Sequence, residues 1–263
     1  MLNLIKSAFS LSLVTIHSVL PVSTQAATLE VLERGQNYRL VQTTRRFTNH
    51  VGEATVQTNR YTEIVPGLHR YENGEWVESE ETIEVTPDGY AVANRGAYTV
   101  IFSPNLNTVG TIDLVTPAPN QKRLRSHVLG VYLTDSAAGK SMQVATVRDS
   151  IAMLFPPNTI VYPSAFEGLD ADMRFSYRKG VFEADLVLKE NLVLPGGFSP
   201  NSTRLELVTE FIDSPSPDVT QCVLGSADGV NLVDDALLNF GGMMMIPGKA
   251  FSIDETAGGL DDQ

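Results

Sequence analysis

Short β-branched and aromatic runs recur along this chain between clusters of Gly, Pro, Asn and Asp, a spacing that leaves little room for helices. The clearest local signal is Asn73-Gly74, set between Leu68-His69-Arg70-Tyr71 and Trp76-Val77. Such a dipeptide supplies the positive φ angles of a two-residue hairpin turn. Pro87-Asp88-Gly89 separates Thr82-Ile83-Glu84-Val85 from Tyr90-Ala91-Val92 and predicts a second turn. Strands also fit Tyr98 to Phe102, Thr111 to Val115, His127 to Leu133, Met142 to Val147 and Leu205 to Ile212. A longer hairpin is expected where Met173, Phe175 and Tyr177 alternate, Lys179-Gly180 turns the chain, and Phe182, Leu186 and Leu188 return. The expected fold is all-β, an antiparallel β-sandwich or super-sandwich with a short, partly irregular C-terminal tail. No fixed repeat supports a solenoid or propeller.

The first twenty-six residues carry a different signal. Lys6, an apolar run from Ala8 to Leu20 and the small-residue end Thr24-Gln25-Ala26 form a secretory leader, with cleavage expected after Ala26. Ser10, Ser12, Thr15, His17 and Ser18 interrupt the run and Pro21 stops it, so it falls short of the ~20 apolar residues of a spanning helix. The expected location is secreted, periplasmic or at the cell surface, with no membrane span. Residues 27–213 read as the sandwich domain, and 214–263 read as a Pro/Gly-rich linker and tail, an incomplete continuation opened by Ser214-Pro215-Ser216-Pro217. Within that tail, Val233 to Phe240 predicts one short helix, opened by Asp234-Asp235 and ended by Gly241-Gly242. An exposed Met243 to Ile246 patch there would mark an interface.

The chain carries a formal net charge of -12, which becomes -13 once the leader and its Lys6 are removed. Such a field repels nucleic-acid phosphates, so nucleic acid is not an expected partner. Lys122, Arg123 and Arg125 are the best basic patch and read as a solvated loop edge. Cys222 is the single cysteine. It makes no internal disulfide and is read either as a small hydrophobe or as an intermolecular or free thiol. No cofactor and no metal site are expected: the histidines have no ligand spacing, and the acids near Gly229 do not follow a calcium-loop pattern.

Three constellations resemble chemistry. Ala138-Gly139-Lys140-Ser141 imitates the end of a phosphate-binding loop, but Thr134 stands where the first glycine belongs, and a hairpin turn is expected. His127 and Asp149 lack a Gly-x-Ser-x-Gly nucleophile partner. The third is the acidic run Glu72, Glu75, Glu78, Glu80, Glu81 and Glu84 around Trp76. On one continuous strand, period two puts Trp76, Glu78, Glu80 and Glu84 on one face. With Tyr71, that face offers an aromatic platform and hydroxyl acceptors for a sugar, and paired acids also suit glycoside hydrolysis. The candidate ligand-binding residues are therefore Trp76, Tyr71, Glu78 and Glu80, and no catalytic residue is assigned.

Two segments carry a resemblance: GLHRYENGEWVESEETIEVTPDGYAVANRGAYTVIFSPNL from Gly67 to Leu106, and DADMRFSYRKGVFEADLVLKE from Asp170 to Glu190. Together they resemble the N-terminal β-rich region of large secreted bacterial surface proteins, of the Rhs/YD-repeat and DNRLRE types and their verrucomicrobial relatives. The resemblance implies an exported scaffold or adhesion-type module without a cofactor. The expectation is a non-catalytic structural or interaction module with a protein or glycan partner at the cell surface. The alternative is a carbohydrate-binding module or a carbohydrate-active enzyme of sandwich type.

Overall fold

The computed structural model describes residues 23–24, 26–49, 51–117, 119–224 and 233–252, and no helix occurs among them. Most of the leader and His50 lie outside the described residues. The chain divides into two compact units: residues up to Glu33 with Arg39–Glu63, and Arg34–Tyr38 with residues from Ile64 onward.

The first unit is built from β1 (Ser23–Thr24), β2 (Thr28–Gly35), β3 (Tyr38–Thr48) and β4 (Ala54–Ile64), with β3 paired to the other three. An eleven-residue strand is about 35 Å long. The turn from β3 to β4 is built on Asn49, whose Oδ1 accepts from the amides of Val51 at 3.1 Å and Glu53 at 2.9 Å. Cross-strand pairs set the register: Arg39 with Glu63, and Arg60 Nε donating to Gln42 Oε1 at 2.8 Å. Almost every residue of β2 and β4 is exposed, including Leu29, Val56 and Tyr61.

In the second unit, β5 (His69–Glu72) and β6 (Glu75–Glu78) form a hairpin. Next come β7 (Glu84–Val85), β8 (Ala91–Ala93), β9 (Thr99–Phe102), β10 (Ile112–Val115), β11 (Arg123–Asp135) and β12 (Lys140–Val147). They are followed by β13 (Met153–Phe155), β14 (Thr159–Tyr162), β15 (Phe166–Glu167), β16 (Ala171–Tyr177), β17 (Phe182–Leu188) and β18 (Thr203–Ile212). One eight-stranded sheet runs β15-β12-β11-β10-β9-β8-β7, with β18 on the other edge of β11; a four-stranded sheet runs β13-β14-β16-β17. Strand β11 is the hub. It pairs β18 over 125–135, while its opposite edge pairs β10 over 123–126 and then β12 over 130–135. The register shifts between Val128 and Gly130 and again between Val131 and Tyr132. Bulges of this kind add twist and let β10 and β12 diverge. Gly130, at φ 155°, sits where an added Cβ would lie 2.5 Å from the Ala145 carbonyl oxygen, so a side chain there would displace β12.

The core lies between these two sheets, and alternation puts it there. Ala171, Met173, Phe175 and Tyr177 of β16 are all buried, as are Val100 and Phe102 of β9 and Ile112 and Leu114 of β10. Phe102 contacts Phe175 at 5.8 Å and Phe182 at 6.0 Å between ring centroids, and Phe175 stacks on Phe182 at 5.8 Å. The buried tyrosines each find an acceptor: Tyr162 donates to Ser103 O at 2.6 Å and Tyr177 to Tyr98 O at 2.8 Å. Tyr98 Oη lies 2.7 Å from Val181 O and 2.8 Å from Arg178 O. Burial pushes all three phenols well above their ordinary value.

Beyond Ser214 the chain forms a third small sheet, β19 (Asp218–Leu224), β20 (Val233–Asn239) and β21 (Met244–Met245). The helix expected over Val233 to Phe240 is therefore a strand. Seven consecutive residues of β20 pair with β19, and Leu238 packs against the main core beside the buried Phe240. Tertiary pairing overrides the local Asp234-Asp235 start signal. Of the expected Met243 to Ile246 patch, Met244, Met245 and Ile246 are exposed, whereas Met243 is half-buried against the core.

Asp135, buried at the end of β11, ties the β11–β12 turn to the segment before β18. Its carboxylate accepts from Ser202 Oγ at 2.6 Å and from the amides of Ser199, Ala137 and Ala138 at 3.1–3.2 Å. The Ser202 hydroxyl first, and then the amides, hold its carboxyl below the ordinary carboxylate value.

Three outcomes are expected in thermal melts. Phe175→Ala removes the ring shared by both sheets and costs about 3–5 kcal/mol. Tyr177→Phe, which orphans the Tyr98 carbonyl, costs about 1 kcal/mol, or roughly 2–4 °C for a chain of this size. Asp135→Asn destabilises at pH 7. The stabilisation that Asp135 contributes is present above the unfolded-state value near pH 4 and is lost as pH falls through its lower folded value. The gap between wild type and Asp135→Asn therefore narrows as pH falls below about 4, and a pH-independent gap would refute this role.

Candidate functional site

The candidate site is the β5–β6 hairpin, and the turn dipeptide sets its register. Asn73 at φ 51° and Gly74 at φ 93° make a two-residue connection, so Tyr71 faces Trp76 and His69 faces Glu78 across the ladder. Period two places those four on one face. The Tyr71 and Trp76 rings meet edge to face, with centroids 5.1 Å apart and planes at 65°. Tyr71 is 62% exposed and Trp76 is half-buried.

On the same face lies His69, which is 1% exposed. Its Nδ1 is 2.8 Å from the Gly35 carbonyl oxygen. A carbonyl only accepts, so Nδ1 carries the proton and Nε2 presents a lone pair. Nε2 is buried without a hydrogen-bond partner. A small cavity of about 30 Å³ opens here, lined by Gln36, His69, Arg70, Tyr71, Trp76 and Ala97. That volume suits one water or one hydroxyl group.

On the opposite face, Arg70 closes the base of the hairpin. Its Nη1 donates to Glu78 O at 2.8 Å and Arg95 O at 3.0 Å, and its Nη2 donates to Glu72 at 3.0 Å. The acidic run is distributed over several bases. Strand β6 stops at Glu78, so the single face expected for Trp76, Glu78, Glu80 and Glu84 does not form. Glu80 lies in the following connection, where its amide donates to Arg95 O at 2.8 Å and its carboxylate pairs with Arg95 at 3.2 Å. Arg95 also pairs with Glu84 at 3.0 Å. Glu78 pairs with Lys179 at 2.9 Å, and Glu81 accepts from the Lys179 amide at 2.8 Å. Four of the acids are thus held by Arg95 or Lys179, while the Tyr71 ring is exposed beside half-buried Trp76.

The other constellations separate. His127 faces Glu210 on β18 at 3.5 Å, whereas Asp149 accepts from Asn105 and Asn107, whose amides hold its carboxyl low. Gly139 lies in the β11–β12 turn, as expected of a hairpin. Arg123 forks onto Asp113, and Arg125 lies 3.9 Å from Asp213, so the basic patch meets local acids. No group of three His, Cys, Asp or Glu that could hold a metal occurs among the described residues. A wider groove of about 370 Å³ has Arg148 and Glu167 on its rim, and its Phe166 ring is turned into the core.

Sequence reasoning did not single out His69, although its position two residues before Tyr71 places it on the same strand face. Gln36 carried no signal, because only the fold brings the β2–β3 turn to the hairpin. No protein family, curated protein or solved structure matches this chain.

Replacing Arg70 by Met keeps the apolar stem and removes the donors to Glu78 O and Arg95 O. Loss of about 1–3 kcal/mol is expected in denaturant unfolding, and an unchanged midpoint would show that the hairpin is held without Arg70.

Proposed function

We propose that this chain is an exported, non-catalytic structural or interaction module of a bacterial cell-envelope or extracellular protein. The observation that carries the reading is the β2–β4 sheet of the first unit. Its strands are long, and β2 and β4 are almost wholly exposed, with Leu29 at 59%, Val56 at 56% and Tyr61 at 41%. A small sheet that leaves apolar side chains in water has surface to give to a partner. The leader, the acidic charge and the resemblance to large secreted surface proteins support the same reading. No helix among the described residues is long and apolar enough to cross a membrane.

A second reading, as a carbohydrate-binding module, is favoured by the exposed Tyr71 ring set edge to face against Trp76. Hydrolysis has less support, since Glu78 and Glu80 are both ion-paired.

The test has two arms. Expressed with its leader in a Gram-negative host, the chain is expected outside the cytoplasm with Ala27 as its first residue, read by N-terminal sequencing. The purified mature chain is then expected to co-sediment with isolated bacterial envelopes, with the double variant Val56→Ser, Tyr61→Ser retained about tenfold less. Cytoplasmic retention, or co-sedimentation unaffected by the double variant, would contradict the proposal.

A further inference from the structure

The geometry points to a subsite for a neutral pyranose on the β5–β6 hairpin, with one ligand hydroxyl entering the cavity at His69. This names a partner class and rests on the module reading above, but it uses different residues from the β2–β4 sheet.

Two observations converge. First, the Tyr71–Trp76 pair forms a corner of two rings, one of them largely exposed. The apolar C–H face of a pyranose fits against such a ring, while its equatorial hydroxyls point sideways to the rim. Second, the cavity beside the rings has room for a single small polar group, and its lining includes His69, whose buried Nε2 is an acceptor without a partner. An unpaired buried acceptor favours a ligand that donates, which a hydroxyl does and a carboxylate or phosphate does not. Half-buried Gln36 lines the same cavity with an amide that both donates and accepts.

Trp76 is the only tryptophan in the chain, so its emission reports the site directly. The mature chain is titrated with neutral oligosaccharides of hexose, pentose and N-acetylhexosamine, with polygalacturonate as the anionic counterpart. A saturable change with a Kd of about 1 mM or tighter is expected for at least one neutral oligosaccharide. Tyr71→Ala, at an exposed position, should weaken it at least about tenfold while leaving the thermal melt in place. At least one singly deoxygenated counterpart of that sugar should also bind at least about tenfold less well. Silence across the neutral panel, an equal response to polygalacturonate, or binding indifferent to Tyr71→Ala overturns the subsite; equal binding of every deoxygenated counterpart overturns the His69 placement. If the panel is silent while envelope co-sedimentation persists, the subsite fails and the module reading stands. Loss of co-sedimentation with saccharide binding intact separates the two in the other direction.

Discussion

Pairing on both edges of β11 is the constraint on which the second unit depends. Ten residues of β18 run along one side, and β10 and β12 share the other. Because two sheet segments leave one edge of a single strand, the bulges at Val128/Gly130 and Val131/Tyr132 must absorb the divergence, and Gly130 supplies the space that the crossing needs. Downstream consequences follow in order. The β10-β9-β8 branch brings Phe102 and Val100 over the β16–β17 hairpin, and the ring cluster of Phe102, Phe175 and Phe182 closes the sandwich. At the far end of β11, Asp135 gathers four donors and fixes where β18 begins.

Buried polar groups then specify the arrangement that hydrophobic burial drives. The Tyr162, Tyr177 and Tyr98 hydroxyls each reach a backbone carbonyl, and Tyr162 and Tyr177 do so on the opposite sheet's β9 segment. A sheet slipped by one residue would orphan these groups. The same logic holds the hairpin through ion pairs. Arg70, Arg95 and Lys179 pair with Glu72, Glu80, Glu84 and Glu78 at the surface, beside the exposed Tyr71 and half-buried Trp76. Charge in this acidic region is thus architectural.

Strands with one apolar face were legible in the sequence. The alternation of Met173, Phe175 and Tyr177 matches β16, and Asn73-Gly74 turns as its φ preference requires. The β11–β12 hairpin across Asp135 to Lys140 was equally readable. Strands β2 to β4 were not read, for a physical reason: Thr, Gln, Asn and Arg recur along β3 and β4, and β2 and β4 are exposed over nearly their whole length, so period two leaves little hydrophobic trace. Strand β20 was mistaken for a helix because its partner β19 lies in a segment read as linker, and cross-strand pairing is invisible to local propensity. At the site, Tyr71, Trp76 and Glu78 were legible as strand neighbours. The scattering of Glu80 and Glu84 onto Arg95 was not, since it depends on where β6 stops.

The most direct test of this account is native-state hydrogen exchange of the mature chain, read strand by strand. Amides of β9, β11 and β16 are expected to exchange slowest and together, as one cooperative core hinged on β11, with those of β2 and β4 fastest. Comparable rapid exchange in β11 and β4 would contradict it, because the strand paired on both edges would then be no better protected than the exposed sheet.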